Sequence, residues 1–385
     1  MLTFVASSAP ASSLRGSSSV NAPPSSAAQP PAQPSSQPGV ASSATVTSAG
    51  VAAAVTMVGA ASAMRRSRKA ARKTARAAGE TAFLFPGQGA QKVGMCKELV
   101  EECSGAKELF EQASDILGYD LLDKCVNGPK ESLDTTAVSQ PAIFVASMGA
   151  VEKLKQEKGD DIVDEATVAM GLSLGEYSAL CFAGAMSFED GVKITKARGE
   201  AMQAAADAAE SGMVSVIGLD AEKTKALCEK ASEDSGKKIQ IANYLCKGNY
   251  TVSGDKEACA KLAEIAKPEF KARMAVPLAV AGAFHTDFMS PAVEKLEEAL
   301  AAAEFKTPRV PVVSNVDGKP HPEPEDIKTT LAKQVTGPVM WEQQMQGLVK
   351  SGLEKGFECG PGTVIAGIMK RIDKEAAGKI TNITV

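Results

Sequence analysis

Ser173 stands between two glycines in VAMGLSLGEYSALCFAG, residues 168–184, and so completes the pattern G-x-S-x-G. A strand candidate, ATVAM, precedes it. A helix candidate, LGEYSALCFAGA, follows it, with Gly184 near that helix's end. Strand, turn and helix with a serine at the apex are what a nucleophile elbow requires. A side chain at 171 or 175 would crowd a backbone turned tightly enough to hold the serine in a strained conformation. The N–H groups that open the helix would favour negative charge on the serine oxygen. The pattern alone is weak in a chain this rich in glycine and serine. Ser178, inside the helix candidate, reads as an ordinary helix serine.

A serine hydroxyl is a poor nucleophile until a base removes its proton. The chain has two histidines. His321 lies in KPHPEPED, which reads as an exposed, proline-rich loop. His285 lies in VAGAFHTDFM, after a strand candidate and at the start of a helix. Taken singly, each reads as a structural histidine; if Ser173 is catalytic, His285 is its base. No acidic third member is evident, because Asp220 and Asp255 both sit where helix N-caps are expected. The eight cysteines form no C-x-x-C pair, and two histidines are too few for a zinc-type cluster. They read as free thiols in a reducing compartment. No glycine-rich phosphate loop is present, so neither metal nor cofactor is expected.

These groups need a scaffold, and hydrophobic rhythm supplies one. TAFLFPGQGAQ reads as a buried strand that breaks at Pro86-Gly87. QPAIFVASMGAVEKLKQ and FEDGVKITKARGEAMQAAADAAE read as long helices. Between residues 212 and 275 the order becomes β-α-β-β-α-β: GMVSVIGLD, AEKTKALCEKAS, KIQIANY, NYTVSG, DKEACAKLAEIA and FKARMAV. That is the split βαβ unit of a small α+β domain. Afterwards a helix through Met289, Val293, Leu296 and Leu300, a strand at VPVVS, two helices and a strand ending in FEC resume an α/β pattern. The expectation is a large α/β domain, divided in sequence, with a small domain inserted.

The charge is unevenly placed. Lys and Arg number 42 against 46 Asp and Glu, a formal net of −4. Residues 1–79 contain no Asp or Glu and eight of the basic residues. The remainder therefore carries 34 basic against 46 acidic residues, a net of −12, which argues against nucleic acid as a partner. The first segment is Ser-, Ala- and Pro-rich, cannot bury enough surface to order itself, and has the composition of an organelle transit peptide. The expected destination is the plastid, with the mitochondrion as the alternative. Its apolar run VAAAVTMVGAASAM is shorter than the ~20 residues a membrane span needs.

Six segments then fall into a known order: FLFPGQGAQKVGM, GLSLGEYSALCFAGA, KARGEAMQ, AGAFHTDFM, PVVSNVDG and ECGPGTVIAGIMKRI. Together, over residues 81–375, they resemble the malonyl-CoA:acyl-carrier-protein transacylases, relatives of the acyltransferase domains of polyketide synthases. The resemblance implies an α/β-hydrolase-like large domain of residues 80–208 and 277–385, with a ferredoxin-like (βαββαβ) small domain of residues 209–276 inserted. It implies that Ser173 is acylated and that His285 serves as base and acid. It makes the backbone N–H groups of Gln88 and Leu174 the oxyanion hole and the backbone carbonyl of Gln334 the group that orients the imidazole. Arg198, otherwise a helix-surface arginine, would hold the malonyl carboxylate, a task that suits a guanidinium fork. Met202, one turn on, and Gln140 would line the acyl pocket, although core or capping roles suit Gln140 equally. Phe284 matches the A-F-H form that goes with malonyl rather than methylmalonyl groups.

The implied substrate is malonyl-CoA and the implied partner an acidic acyl carrier protein, with no membrane, no nucleic acid and a monomeric enzyme. Lys196, Arg198, Lys370 and Arg371 are candidates for a basic docking patch. At position 172 the chain has Leu where many bacterial members have His, which removes any polar contact from there. Two rival readings stand beside this one. The first is a polyketide acyltransferase of other acyl preference; the second is a non-catalytic or hydrolytic homologue that binds carrier protein.

Overall fold

A computed structural model describes residues 79–385. The expected transit segment and its apolar run lie outside the described residues. Strand β1 (Glu80–Phe85) is buried from Ala82 onward and ends at Pro86, which has no N–H to continue a ladder. Helix α1 (Ser104–Leu117) buries Ala106, Phe110, Ala113 and Leu117 on one face and stops at Gly118 in the left-handed region, φ +81°. Helix α2 (Thr136–Lys158) is buried almost all round as far as Leu154, as a helix inside a core must be. Next come β2 (Val168–Gly171), α3 (Gly175–Phe182) and α4 (Phe188–Asp207). Ser187 caps α4 by accepting from the Asp190 N–H.

The chain continues through β3 (Ser211–Ile217), α5 (Ala221–Ser235), β4 (Ile239–Cys246), β5 (Asn249–Asp255), α6 (Lys256–Ala266) and β6 (Met274–Pro277). It then forms α7 (Val293–Ala302), β7 (Val312–Val313), α8 (Pro324–Thr336), α9 (Trp341–Lys350), β8 (Leu353–Cys359), α10 (Val364–Ile372) and β9 (Ile380–Ile383). Five strands make an all-parallel sheet in the order β7-β2-β1-β8-β9. Side chains alternate along β1. Phe83 and Phe85 join the cluster with α1, α2 and α3, whereas Ala82 and Leu84 join Trp341, Met345 and Met369 of α9 and α10. Covering both faces is what lets a parallel strand be continuously apolar.

The second sheet is antiparallel, in the order β4-β5-β3-β6, and is covered by α5 and α6 through Leu227, Ala231, Leu262 and Ile265. Its elements run β-α-β-β-α-β along the chain, the order read from the sequence.

Three details depart from that reading. Strand β6 begins at Met274 rather than in FKARMAV's first residues, because Lys271 turns the chain with φ +62°. The helix expected through Met289 is two pieces, since Asp287–Ala292 is a 3-10 turn containing Pro291. Strand β9, absent from the expected elements, closes one edge of the large sheet.

Crevices at the carboxyl ends of parallel strands, where the strand order reverses, are the places such sheets offer to ligands. Here β1 lies between β2 and β8, and the chain leaves β1 through Gly87-Gln88 and β2 through Leu172-Ser173.

Candidate active site

The turn after β2 is as tight as the glycine spacing demands. A Cβ on Gly171 would lie 1.9 Å from the carbonyl carbon of Gly175, and one on Gly175 would lie 2.1 Å from the Phe85 oxygen. A Cβ on Gly87 would lie 2.3 Å from the Leu172 oxygen, so the β1 loop touches the elbow closely enough to exclude any side chain. Between these contacts Ser173 adopts φ +52°, a strained region for a residue with a side chain. Its Oγ lies at the mouth of α3, while Ser178 is buried within that helix.

His285 meets it from 112 residues away. The Ser173 Oγ lies 2.9 Å from His285 Nε2, and His285 Nδ1 lies 2.8 Å from the backbone oxygen of Gln334. A carbonyl can only accept, so Nδ1 carries the ring proton and Nε2 presents its lone pair to the serine hydroxyl. His285 also has a positive φ, +61°, and its imidazole is buried. Burial, and then the Arg198 cation, push its pKa down to about 4, so the ring is a neutral base at neutral pH. Asp220 and Asp255 do cap helices: they accept from the N–H groups of Lys223 and Glu257 at 2.8 and 2.9 Å. His321 differs from expectation. It is half-buried rather than exposed, because its ring turns back onto Asp317 at 3.1 Å.

Arg198 is 1% exposed, so it belongs neither to a helix surface nor to a basic docking patch. The α4 helix turns this residue inward, where Nη1 donates to Gln140 Oε1 at 2.7 Å. Nη2 donates to Gln334 Oε1 at 2.9 Å and to Ser173 Oγ at 3.3 Å. Its guanidinium lies 5.2 Å from the centroid of the Tyr177 ring. Gln140 is thus a buried partner of the arginine, and its Nε2 lies 3.5 Å from Met202 Sδ, on the same face of α4 as Arg198. Met202 and Phe284 are both buried in the main cluster. Of the other docking candidates, Lys196 is half-buried and donates to the Leu117 carbonyl that ends α1, whereas Lys370 and Arg371 are exposed on the last turn of α10.

The backbone N–H groups of Leu174 and Gln88 are the expected oxyanion donors. The α3 turn closes with the N–H groups of Gly175, Glu176 and Tyr177 on the carbonyls of Leu172, Ser173 and Leu174, and the Ser173 N–H goes to Asn315. The Leu174 N–H is left without an intrahelical partner, as first-turn donors are. Gln88, across the Gly87–Leu172 contact, is anchored through its side chain, which donates to Thr136 Oγ1 at 3.2 Å.

Sequence reasoning missed a second ring of polar residues. Glu176 is 4% exposed; its Oε2 accepts from Gln334 Nε2 at 2.7 Å and from the Asn315 N–H at 3.0 Å. Burial raises its pKa to about 7. The available signal was the composition of α3, GEYSALCF, which holds no second charged residue to form a wet face. No group of three or more metal-ligating side chains occurs among the described residues, and no described helix is long and apolar enough to cross a membrane.

Residues 82–380 match the acyl transferase domain family. The malonyl CoA-acyl carrier protein transacylase of Bacillus subtilis is 41% identical over 293 residues, covering 76% of this chain and 90% of that protein. The mitochondrial malonyl-CoA-acyl carrier protein transacylase of Mus musculus is 40% identical over 316 residues, covering 79% and 82%. Among solved structures, the malonyl CoA-acyl carrier protein transacylase from Coxiella burnetii aligns with a TM-score of 0.75 at 36% identity, covering 80% of this chain and 94% of that one.

Proposed function

The chain belongs to the acyl transferase domain family, and on that premise we propose that Ser173 is the nucleophile of a two-step malonyl transfer. The chain is an acyltransferase that moves malonyl from coenzyme A to acyl carrier protein for fatty acid synthesis. One observation carries the assignment of roles: a serine hydroxyl 2.9 Å from a neutral imidazole nitrogen and 3.3 Å from a buried guanidinium.

In the first half, His285 Nε2 takes the Ser173 proton as the oxygen attacks the thioester carbonyl. The N–H groups of Leu174 and Gln88 receive the oxyanion, each such donor being worth about 10²–10³ in rate. Collapse breaks the C–S bond, and the imidazolium returns the proton to the departing coenzyme A sulfur. A malonyl-serine ester remains. In the second half, the phosphopantetheine thiol gives its proton to His285 and attacks the ester. The Ser173 oxygen leaves and recovers that proton. Arg198 holds the distal carboxylate throughout by charge-assisted hydrogen bonds. Coenzyme A thioester is a substrate, and the scheme calls on no cofactor.

The test is to mix the protein with labelled malonyl-CoA, quench in acid and map the modified peptide. The label should lie on Ser173 and vanish in Ser173→Ala; a Ser173→Ala variant with full transfer activity contradicts the scheme. The N-terminal composition supports import into an organelle. The plastid is the reading of that composition, and the mitochondrial mouse relative supports the alternative. Mass spectrometry of the native N-terminus in each organelle fraction decides, and retention of Met1 there overturns import. Light scattering of the purified enzyme tests the expected monomer.

A further inference from the structure

The motif PVVSNVDG has no part in the transfer as described, yet its asparagine is fully buried beside the nucleophile. Asn315 lies just past β7, the strand that pairs with β2. Its side-chain oxygen accepts the Ser173 N–H at 2.5 Å, and its side-chain nitrogen donates to the Gly171 carbonyl at 2.7 Å. One amide thus spans the elbow from the residue before Leu172 to the residue after it. Its backbone N–H donates to Glu176 Oε2, and that same oxygen accepts from Gln334 Nε2 at 2.7 Å. The Gln334 backbone oxygen in turn receives His285 Nδ1 at 2.8 Å. The Gln344 side chain completes the shell, 3.5 Å from the Asn315 nitrogen.

We propose that Asn315 is a positioning residue of the transfer: it clamps the strained Ser173 turn and, through Glu176 and Gln334, fixes the serine and the imidazole in one register. The inference rests on Ser173 being the nucleophile. Two physical consequences follow. A serine held at φ +52° relaxes unless its neighbours determine it, and a two-point amide bridge across the turn does so. The bridge also occupies the serine's own N–H, so the next donor along, that of Leu174, is the one left for an oxyanion.

Both half-reactions use the same turn, so both should slow together. Asn315→Ala removes both bonds. Asn315→Asp keeps the shape and the acceptor but loses the donor to Gly171, which makes it the decisive variant should the alanine protein fail to fold. Rapid-quench malonylation from malonyl-CoA and transfer to carrier protein are measured for each. The expected result is a fall of about 10- to 100-fold in both rates, with KM for malonyl-CoA changed less than about threefold. A merely structural asparagine would lower the melting temperature and leave the rate per folded molecule unchanged. Variants that fold and malonylate Ser173 at the wild-type rate, or whose KM alone rises, overturn the inference. A wild-type protein that forms no ester on Ser173 overturns the underlying scheme instead, and the inference with it.

Discussion

Replacing Arg198 with alanine should convert a malonyl-selective site into one that prefers uncharged acyl groups. The guanidinium is 1% exposed and is aimed at the serine by two amide oxygens, those of Gln140 and Gln334. A carboxylate entering this corner exchanges with it two charge-assisted hydrogen bonds, each worth about 1.5–3 kcal/mol. Their joint loss, about 3–6 kcal/mol, corresponds to about 10²–10⁴ in kcat/KM for malonyl-CoA. Acetyl-CoA makes no such contact and should be transferred as well as before or better. A second readout comes from His285. Burial is the larger cause of its lowered pKa and the Arg198 cation the next, so removing the cation should move the acid limb of kcat/KM upward from about pH 4 while leaving it below 6.5. Steady-state rates with both thioesters across pH 3.5–8 give both answers. Equal losses for malonyl and acetyl groups would show that Arg198 is structural, and the specificity argument would fail.

Three further outcomes follow from the same geometry. In the wild type, kcat/KM should stay level from pH 8 to about 5 and fall near pH 4, because protonated His285 cannot accept the serine proton; a limb at 6.5 would mean a solvated ring. Stability should show two opposed slopes. Neutral His285, depressed from 6.5 to about 4, contributes stability that is lost as pH falls through that range, whereas Glu176, raised from 4.5 to about 7, contributes stability that is lost as pH rises through its own. Glu176→Gln removes the second slope, so denaturant unfolding of that variant should gain stability between pH 4.5 and 6.5 where the wild type changes little; a flat variant refutes the assignment. Gly175→Ala should abolish soluble protein or lower its melting point severely, since its Cβ would lie 2.1 Å from the Phe85 oxygen, whereas Gly212→Ala, with open space around its Cβ, should change stability by less than about 1 kcal/mol.

Legibility in the sequence tracks how local the cause is. The elbow was readable because two glycines, a strand and a helix lie within a few residues of Ser173, and the close contacts of Gly171 and Gly175 admit nothing larger. The antiparallel sheet was readable because its strands and helices alternate in hydrophobic period. Arg198 fell on the expected helix, but its burial was not legible: KARGEAMQ has the polar look of a solvated face, and only the packing of α4 on α2 turns it inward. That packing is close enough that a Cβ on Gly199 would lie 2.6 Å from the Thr136 oxygen. Asn315 was not legible, and Glu176 left only the weak signal of a lone charge on an otherwise uncharged short helix. Their partners around the elbow and at Gln334 lie 139–158 residues away along the chain, and a polar residue in a loop or on a short helix has no periodic signature. The unexpected β9 escaped for the opposite reason, being four residues of mixed polarity whose strand character comes from pairing with β8.

The choice of amides and a carbonyl around Ser173 and His285 has a physical logic. A carboxylate beside His285 Nδ1 would stand in the field of Arg198 and compete for it, leaving little charge to recognise an anionic acyl group. Gln334 avoids the conflict by dividing its functions. Its backbone oxygen orients the imidazole, its side-chain oxygen accepts from Arg198, and its side-chain nitrogen donates to Glu176. The amide therefore separates cation from carboxylate while satisfying both, and Gln140 holds the other arm of the fork with an oxygen that bears no net charge. Burial raises the cost of charging either group, lowering the pKa of Arg198 and raising that of Glu176. A single unneutralised guanidinium in this corner thus does two things at once. It adds to burial in holding the imidazole unprotonated, and it leaves the site electrostatically incomplete until an acyl group bearing its own carboxylate arrives.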